Sequence, residues 1–317
     1  MGTATKVPET RAMSGDELSA DEALASLRRY GGWPLLRDAF IRFRYADGFS
    51  HSRALALQTV LALIPLAIEF VGLSSALHTE NIGRVAELTI RKLAAGPSAD
   101  VVDDALRRSR HTAGDGAQVA LWFGLAFSLV NVTTAMCQIE RGANRIYGNE
   151  RDRVFHRKYL RGLAMSLSAG IPLGLGFVLM VAGGDLASAV VTVYHVDGGA
   201  KTAWDMLRWP FGLLLALISA SAIFRRSPRR RQPGYTWLAF GAAVYLVLWT
   251  ALTWLLSLYL GLSGTFDTVY GPLSAFMSLL LWAYLTSIAL FLGLSFAAQL
   301  EASRARRPGP VQPDPGV

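Results

Sequence analysis

The strongest constraint on this chain is a run near its end, "LSAFMSLLLWAYLTSIALFLGLSFAA", residues 273 to 298, which contains no charged side chain. A hydrocarbon core about 30 Å thick needs roughly 20 residues of helix to cross it. Five further apolar runs, at 54 to 77, 117 to 137, 160 to 183, 206 to 224 and 236 to 258, meet or approach that length. The fourth, around "WPFGLLLALISASAIF", is the weakest and needs its flanks to span. Composition agrees, since 52% of the 317 residues are hydrophobic and only 17% are charged, against about 25% charged in soluble domains. The sequence predicts an all-α, polytopic membrane protein with six transmembrane helices.

The net charge of +8 falls in short clusters between the runs, a distribution that suits membrane topology rather than a nucleic-acid partner. Residues 138 to 159 carry Arg141, Arg145, Arg151, Arg153, Arg157 and Lys158, and "RRSPRRR" supplies five arginines from Arg225 to Arg231. By the positive-inside rule both segments face the cytoplasm. Residues 184 to 205 hold only Lys201, and 259 to 272 hold no Lys or Arg, so these face outward. Six spans then place both termini inside. The segment 78 to 116 must be external despite six basic residues, and its six acids and its length suggest amphipathic helices of its own.

Residues 1 to 25 and 303 to 317 are expected to be disordered cytoplasmic tails around a membrane domain at 26 to 302. No cleaved signal peptide is expected, because the first apolar run starts after about fifty residues and is too long for an h-region. Before that run, "WPLLRDAFIRFRYA" sets Leu36, Phe40 and Phe43 on one helical face between Arg37 and Arg44. It fits either a helix on the inner membrane surface or one packed on its own protein. Cys137 is the only cysteine, which excludes an intrachain disulfide.

No HExxH, His-x-His, GxSxG or Walker glycine loop is present. The sequence therefore nominates no catalytic residue, no metal ligand and no cofactor. The polar residues inside the apolar runs are the better lead, because burying them in lipid costs free energy. Gln58 and Asn131 are expected at similar depth, where they could meet across the first two helices as interhelical glue or as a substrate contact. Glu69 lies in the outer third of the first run. Two roles suit it: a carboxylate reaching the interface or neutralised by Arg84 or Arg91, or a member of a polar pathway. Pro65 and Pro172 interrupt the first and third runs and tend to kink them, as in transporters with broken helices. Gly170, Gly174 and Gly176 would let a neighbouring helix approach closely.

The order of "LALQTVLALIPLA", "NRIYG" with its basic tail, "RQPGYTWLAFGAAV" and "YGPLSAFMSLLLWAYLTSIALFLG" resembles the YihY/virulence factor BrkB family of bacterial inner-membrane proteins, over roughly residues 35 to 302. That resemblance implies six helices with cytoplasmic termini. It points to Pro65, to Asn144, Tyr147 and Gly148, to Pro233 and Gly234, and to Tyr270, Gly271, Trp282 and Gly293. After that last glycine, relatives often carry a small residue and then Glu, where this chain has Leu294 and Ser295. The family once carried a ribonuclease label, now regarded as mistaken, which the missing metal motifs give no reason to revive. The functional expectation is a multi-pass inner-membrane transporter or flippase-like exporter of an anionic lipid or small metabolite, with membrane lipids as its surroundings. The alternative is an envelope scaffold that recruits partners through "RGANRIYGNERDRVFHRK".

Overall fold

The computed structural model describes residues 5–10, 19–76, 115–149, 151–181, 183–194, 198–262, 266, 269–305 and 309–313. The described chain is helical apart from short connections and one two-residue strand pair. Its long helices are α3 (Gly48–Ala76), α4 (Asp115–Ile146), α8 (Gly198–Arg226), α9 (Tyr235–Leu262) and α10 (Ser274–Arg304). The third apolar run is divided into α5 (Phe155–Met165), a π-helical turn (Ser166–Gly170) and α6 (Ile171–Val181). A shorter apolar helix, α7 (Gly183–Tyr194), follows it. Among the described residues five spans are long and apolar enough to cross a membrane: Trp122–Ile146, Phe155–Met180, Lys201–Arg226, Tyr235–Gly261 and Phe276–Arg304.

Two helices precede the bundle. In α1 (Ala20–Tyr30) the Ser19 side chain accepts from the Glu22 amide, and Asp21 and Glu22 at the start with Arg28 and Arg29 at the end suit the helix dipole. α2 (Gly32–Tyr45) lies against α10. Its inner face is Leu35, Ala39, Arg42 and Phe43, while Trp33, Leu36 and Phe40 are exposed. The expected face of Leu36, Phe40 and Phe43 is therefore split, because Phe43 turns inward against Phe49.

Around the bundle α3 packs on α4 and α10, α10 on α9, α9 on α8, α8 on α6, and α5 returns to α4. The C-terminal ends of α2, α4, α8 and α10 and the N-terminal ends of α3, α5 and α9 share one end of the bundle, which carries the arginine clusters. Small residues set the close crossings. A Cβ on Gly293 would stand 2.6 Å from the Gly241 carbonyl oxygen, and one on Gly176 would stand 2.9 Å from that of Gly212. Gly170 faces Met136 closely, but Gly174 opens onto empty space, so only two of the three expected contact glycines act as such. Phe177 of α6 stacks on Trp249 of α9 at 4.3 Å and meets Trp282 of α10 edge-on at 6.4 Å.

Several expectations need correction. α4 continues to Ile146 rather than ending at 137, because Gln138, Glu140 and Asn144 are buried against protein and not exposed to water. The fourth run needs no correction: as expected it spans with its flanks, within a 29-residue helix extended by its polar side. The tails are ordered in part: Thr5–Lys6 (β1) pairs with Gln312–Pro313 (β2), and Val7 and Thr10 are buried. Residues 1–4, 11–18, 306–308 and 314–317 lie outside the described set. So does nearly all of the 78 to 116 segment, described only from Asp115 onward.

Candidate functional site

At the basic end, charges that read in sequence as topology markers are built into the interior. Arg42 is 0% exposed. Its guanidinium donates to Gln299 Oε1 at 3.1 Å, to Thr10 Oγ1 at 3.2 Å and to the Ile146 carbonyl at 2.8 Å. Burial pulls its pKa down to about 10, against the opposing pull of Tyr147 and Glu301, and leaves it a cation at neutral pH. Arg230 pairs with the buried Glu301, donates to the Thr10 carbonyl at 2.7 Å, and lies 4.4 Å from the Tyr147 ring centroid. Glu301 thus pairs with Arg230 and acts on Arg42 through its charge, and the ring face supports Arg230. Burial and then the Glu301 charge push the Tyr147 phenol up from its ordinary value.

A second knot joins the connections before α5 and α9. Asn144 accepts from the Arg229 amide at 2.7 Å and donates to Asp152 at 3.3 Å. Arg153 pairs with the buried Glu140 at 2.7 Å and also donates to the Ser227 and Pro228 carbonyls. Burial opposes ionisation of Asp152, but hydrogen bonds from Lys158 and Asn144 outweigh it and hold the carboxyl below its ordinary range. Gly148 completes the knot at φ +73°, where a Cβ would stand 2.6 Å from the Pro8 carbonyl oxygen. Only glycine suits that position. Pro233 is buried, and the Gly234 carbonyl accepts the Leu238 amide at the start of α9.

Two cavities flank this locked end. The first, of about 460 Å³, lies between α3 and α10 and is lined by Arg53, Leu57, Tyr270, Met277, Leu281 and Tyr284 among others. From Tyr284 to Met277 it follows α10 for about 10 Å, and Tyr270 lines it beyond the helix start. Arg53, near the basic end of α3, is the charged residue of its lining. The second, of about 480 Å³, lies beside α5 and gathers Arg153, Arg157, Arg161 and Arg229.

The expected pathway residues are dispersed. His51 bonds Gln138 at 2.7 Å and lies 6.1 Å from the Phe291 ring, which fixes the register of α3, α4 and α10. Gln58 and Asn131 each lie seven residues farther from the basic end than that pair, so they share a depth. They do not bond. Asn131 donates to Phe127 O in its own helix, and Gln58 Oε1 is buried without a partner. Ser295 is fully buried with an unpartnered hydroxyl, about one turn from Gln299. Pro65 lies inside α3, and Pro172 lies one residue beyond the π-turn, where its missing N–H frees the backbone register. Glu69 falls within α3, but its side chain is outside the described residues. Of the resemblance residues, Asn144, Tyr147, Gly148, Pro233 and Gly234 converge on the basic end, whereas Trp282 and Gly293 act in helix packing. Tyr270 lines the first cavity beside Gly271, whose φ is +50°. Sequence reasoning missed Arg42, Glu301, Arg53 and Pro210 inside α8. The signal for Arg42 was its place on the Leu35–Ala39 face of an amphipathic helix.

Apolar spans with buried charge at one end define a polytopic helical membrane protein. The family model described as Virulence factor BrkB matches residues 39–315, and the chain belongs to that family. It is similar to the putative ribonuclease-like protein YfkH of Bacillus subtilis (strain 168), 23% identical over 260 residues, 81% of this chain and 92% of the relative. It is also similar to a UPF0761 membrane protein of Azotobacter vinelandii, 27% identical over 277 residues, 87% of this chain and 65% of the relative. A third relative, a UPF0761 membrane protein of Xanthomonas campestris pv. campestris (strain B100), is 26% identical over 274 residues, 84% of this chain. The chain spans only 60% of that relative and, as with the Azotobacter protein, less than two thirds of its length. No solved structure matches. The word ribonuclease belongs to the name of YfkH. Among the described residues no three His, Cys, Asp or Glu side chains are grouped as metal ligands would be.

Proposed function

We propose that the protein is a bacterial inner-membrane transporter or flippase-like exporter of an anionic amphiphile, a lipid or a small metabolite. In this proposal α3 is the sixth span and the arginine-rich end with both termini faces the cytoplasm. The length of α3, 29 residues, and the pairing of β1 with β2 support that arrangement. One observation carries the transport role: the α3–α10 cavity sets a single guanidinium, Arg53, at the basic end of an otherwise apolar and aromatic trough. An anionic headgroup at Arg53 with a chain along Leu57, Met277 and Leu281 complements that lining. Recruitment of a partner through the 141 to 158 segment is less favoured, because Asn144, Tyr147, Arg153 and Lys158 are already spent on internal contacts. The test is transbilayer movement of a fluorescent phosphatidylglycerol in liposomes. Wild-type protein should accelerate it and Arg53→Gln should slow it several-fold; movement no faster than in protein-free liposomes would refute the proposal.

A further inference from the structure

We propose that the arginine cleft beside α5 binds the phosphate headgroup of an anionic phospholipid, at a site separate from the α3–α10 cavity. The cleft, about 480 Å³, brings Arg153, Arg157 and Arg161 into one row with Arg229 opposite, and it includes Leu160 and Ala164. Like charges four residues apart on a helix destabilise it. The positive end of the helix dipole adds to that repulsion, since the first turn of α5 has no acidic residue and Val154 provides no side-chain cap.

Two of the four arginines are already engaged. Arg153 is neutralised by Glu140, and Arg229 donates to the Asp152 carbonyl at 2.7 Å. Among the described residues no carboxylate pairs with Arg157 or Arg161. An anion with several acceptor oxygens would relieve the repulsion, and a phosphate matches the planar guanidinium fork.

The apolar surroundings decide between a lipid and a soluble phosphate. Leu160 is 70% exposed, and Leu167 and Ile171 continue the same face into the span Phe155–Met180. From Leu160 to Ile171 the strip rises about 16 Å, a length that an acyl chain can cover. A phosphate seated among the arginines therefore has its own hydrocarbon support directly beyond it. A free phosphate would use none of that strip.

Native mass spectrometry of the full chain in a mild detergent tests this with three probes: dioleoylphosphatidylglycerol, dioleoylphosphatidylcholine and inorganic phosphate. Wild-type protein should retain the glycerol lipid at least tenfold more tightly than the choline lipid. Arg157→Gln with Arg161→Gln should lose about tenfold in that affinity, while Arg37→Gln, on exposed α2 surface, should lose none. Thermal unfolding is the second readout: the glycerol lipid should raise the Tm of the wild type more than that of the double variant. If the double variant does not purify, Arg157→Gln alone should show at least a threefold loss. Undiminished binding, or equal retention of both lipids, overturns the proposal. Displacement of the lipid by millimolar inorganic phosphate overturns the lipid assignment. The site does not rest on transport, since Arg53→Gln removes a lipid from the other cavity and leaves this one occupied.

Discussion

The two halves of the bundle are held together by different physics. At the basic end, helices far apart in sequence are tied by ions and amides: Arg42 to Gln299, Arg230 to Glu301, Asn144 to Arg229. In the apolar half the contacts are close backbone crossings at Gly293 with Gly241 and Gly176 with Gly212, and the Phe177–Trp249 stack. Lipid is as apolar as leucine, so packing and not hydrophobic burial holds that half. The polar half is intolerant of a lost partner, whereas the apolar half is intolerant of added volume. Positive charge near a membrane helix is therefore of two kinds, and only the exposed kind is available for ligands.

The contrast can be broken most severely at Glu301. Glu301→Ala leaves the partly buried Arg230 without its carboxylate and should cost about 3–5 kcal/mol, read as loss of monodisperse protein or a sharp fall in Tm in detergent. A Tm within a degree or two of the wild type would deny the knot its structural role. Gly293→Ala tests the other half. Its Cβ would stand 2.6 Å from both the Gly241 carbonyl oxygen and Tyr245 Cβ, and overpacking of this kind costs about 1–3 kcal/mol. Asn144→Ala strands the Arg229 amide and should cost about 1–2 kcal/mol, with faster proteolysis of the 147 to 154 connection as the readout.

A single polar contact gives a smaller effect. His51→Leu removes the 2.7 Å bond to Gln138 and should cost about 1 kcal/mol, read as a modest fall in Tm; an unchanged Tm would deny that bond its part in setting the helix register. Arg141→Gln should do least. Its 3.6 Å contact with Asp152 is more than half exposed on the arginine side, and such pairs contribute about 0–1 kcal/mol. A loss like that of Glu301→Ala would erase the distinction between buried and exposed charge.

The helices were legible in the sequence because lipid demands long apolar runs, and even the weak fourth run became a full span once its polar flank was added. The polar ends of helices were not legible. Hydropathy reads Gln138, Glu140 and Asn144 as a loop, since it cannot tell a side chain turned to protein from one turned to water. Arg42 meets Gln299 across 257 positions, a pairing with no local signature. The tails showed the same blindness: Thr10 looks like any disordered residue until Arg42 and Arg230 bind it. The motif residues Asn144, Tyr147 and Gly148 pointed to the right place, although their role there is to join the chain to itself. The expected Gln58–Asn131 pair failed for a local reason, as a helical amide finds the carbonyl four residues back more easily than a partner on another helix.

Filling the α3–α10 cavity tests whether the amphiphile travels along it. Leu57 and Leu281 line it from opposite helices, and Leu57 is 49% exposed, so Leu57→Trp with Leu281→Trp adds bulk without displacing the buried contacts. Transbilayer movement of phosphatidylglycerol should stop in liposomes of this variant while its Tm stays at the wild-type value. Movement at the wild-type rate with the cavity filled would show that the amphiphile takes another route.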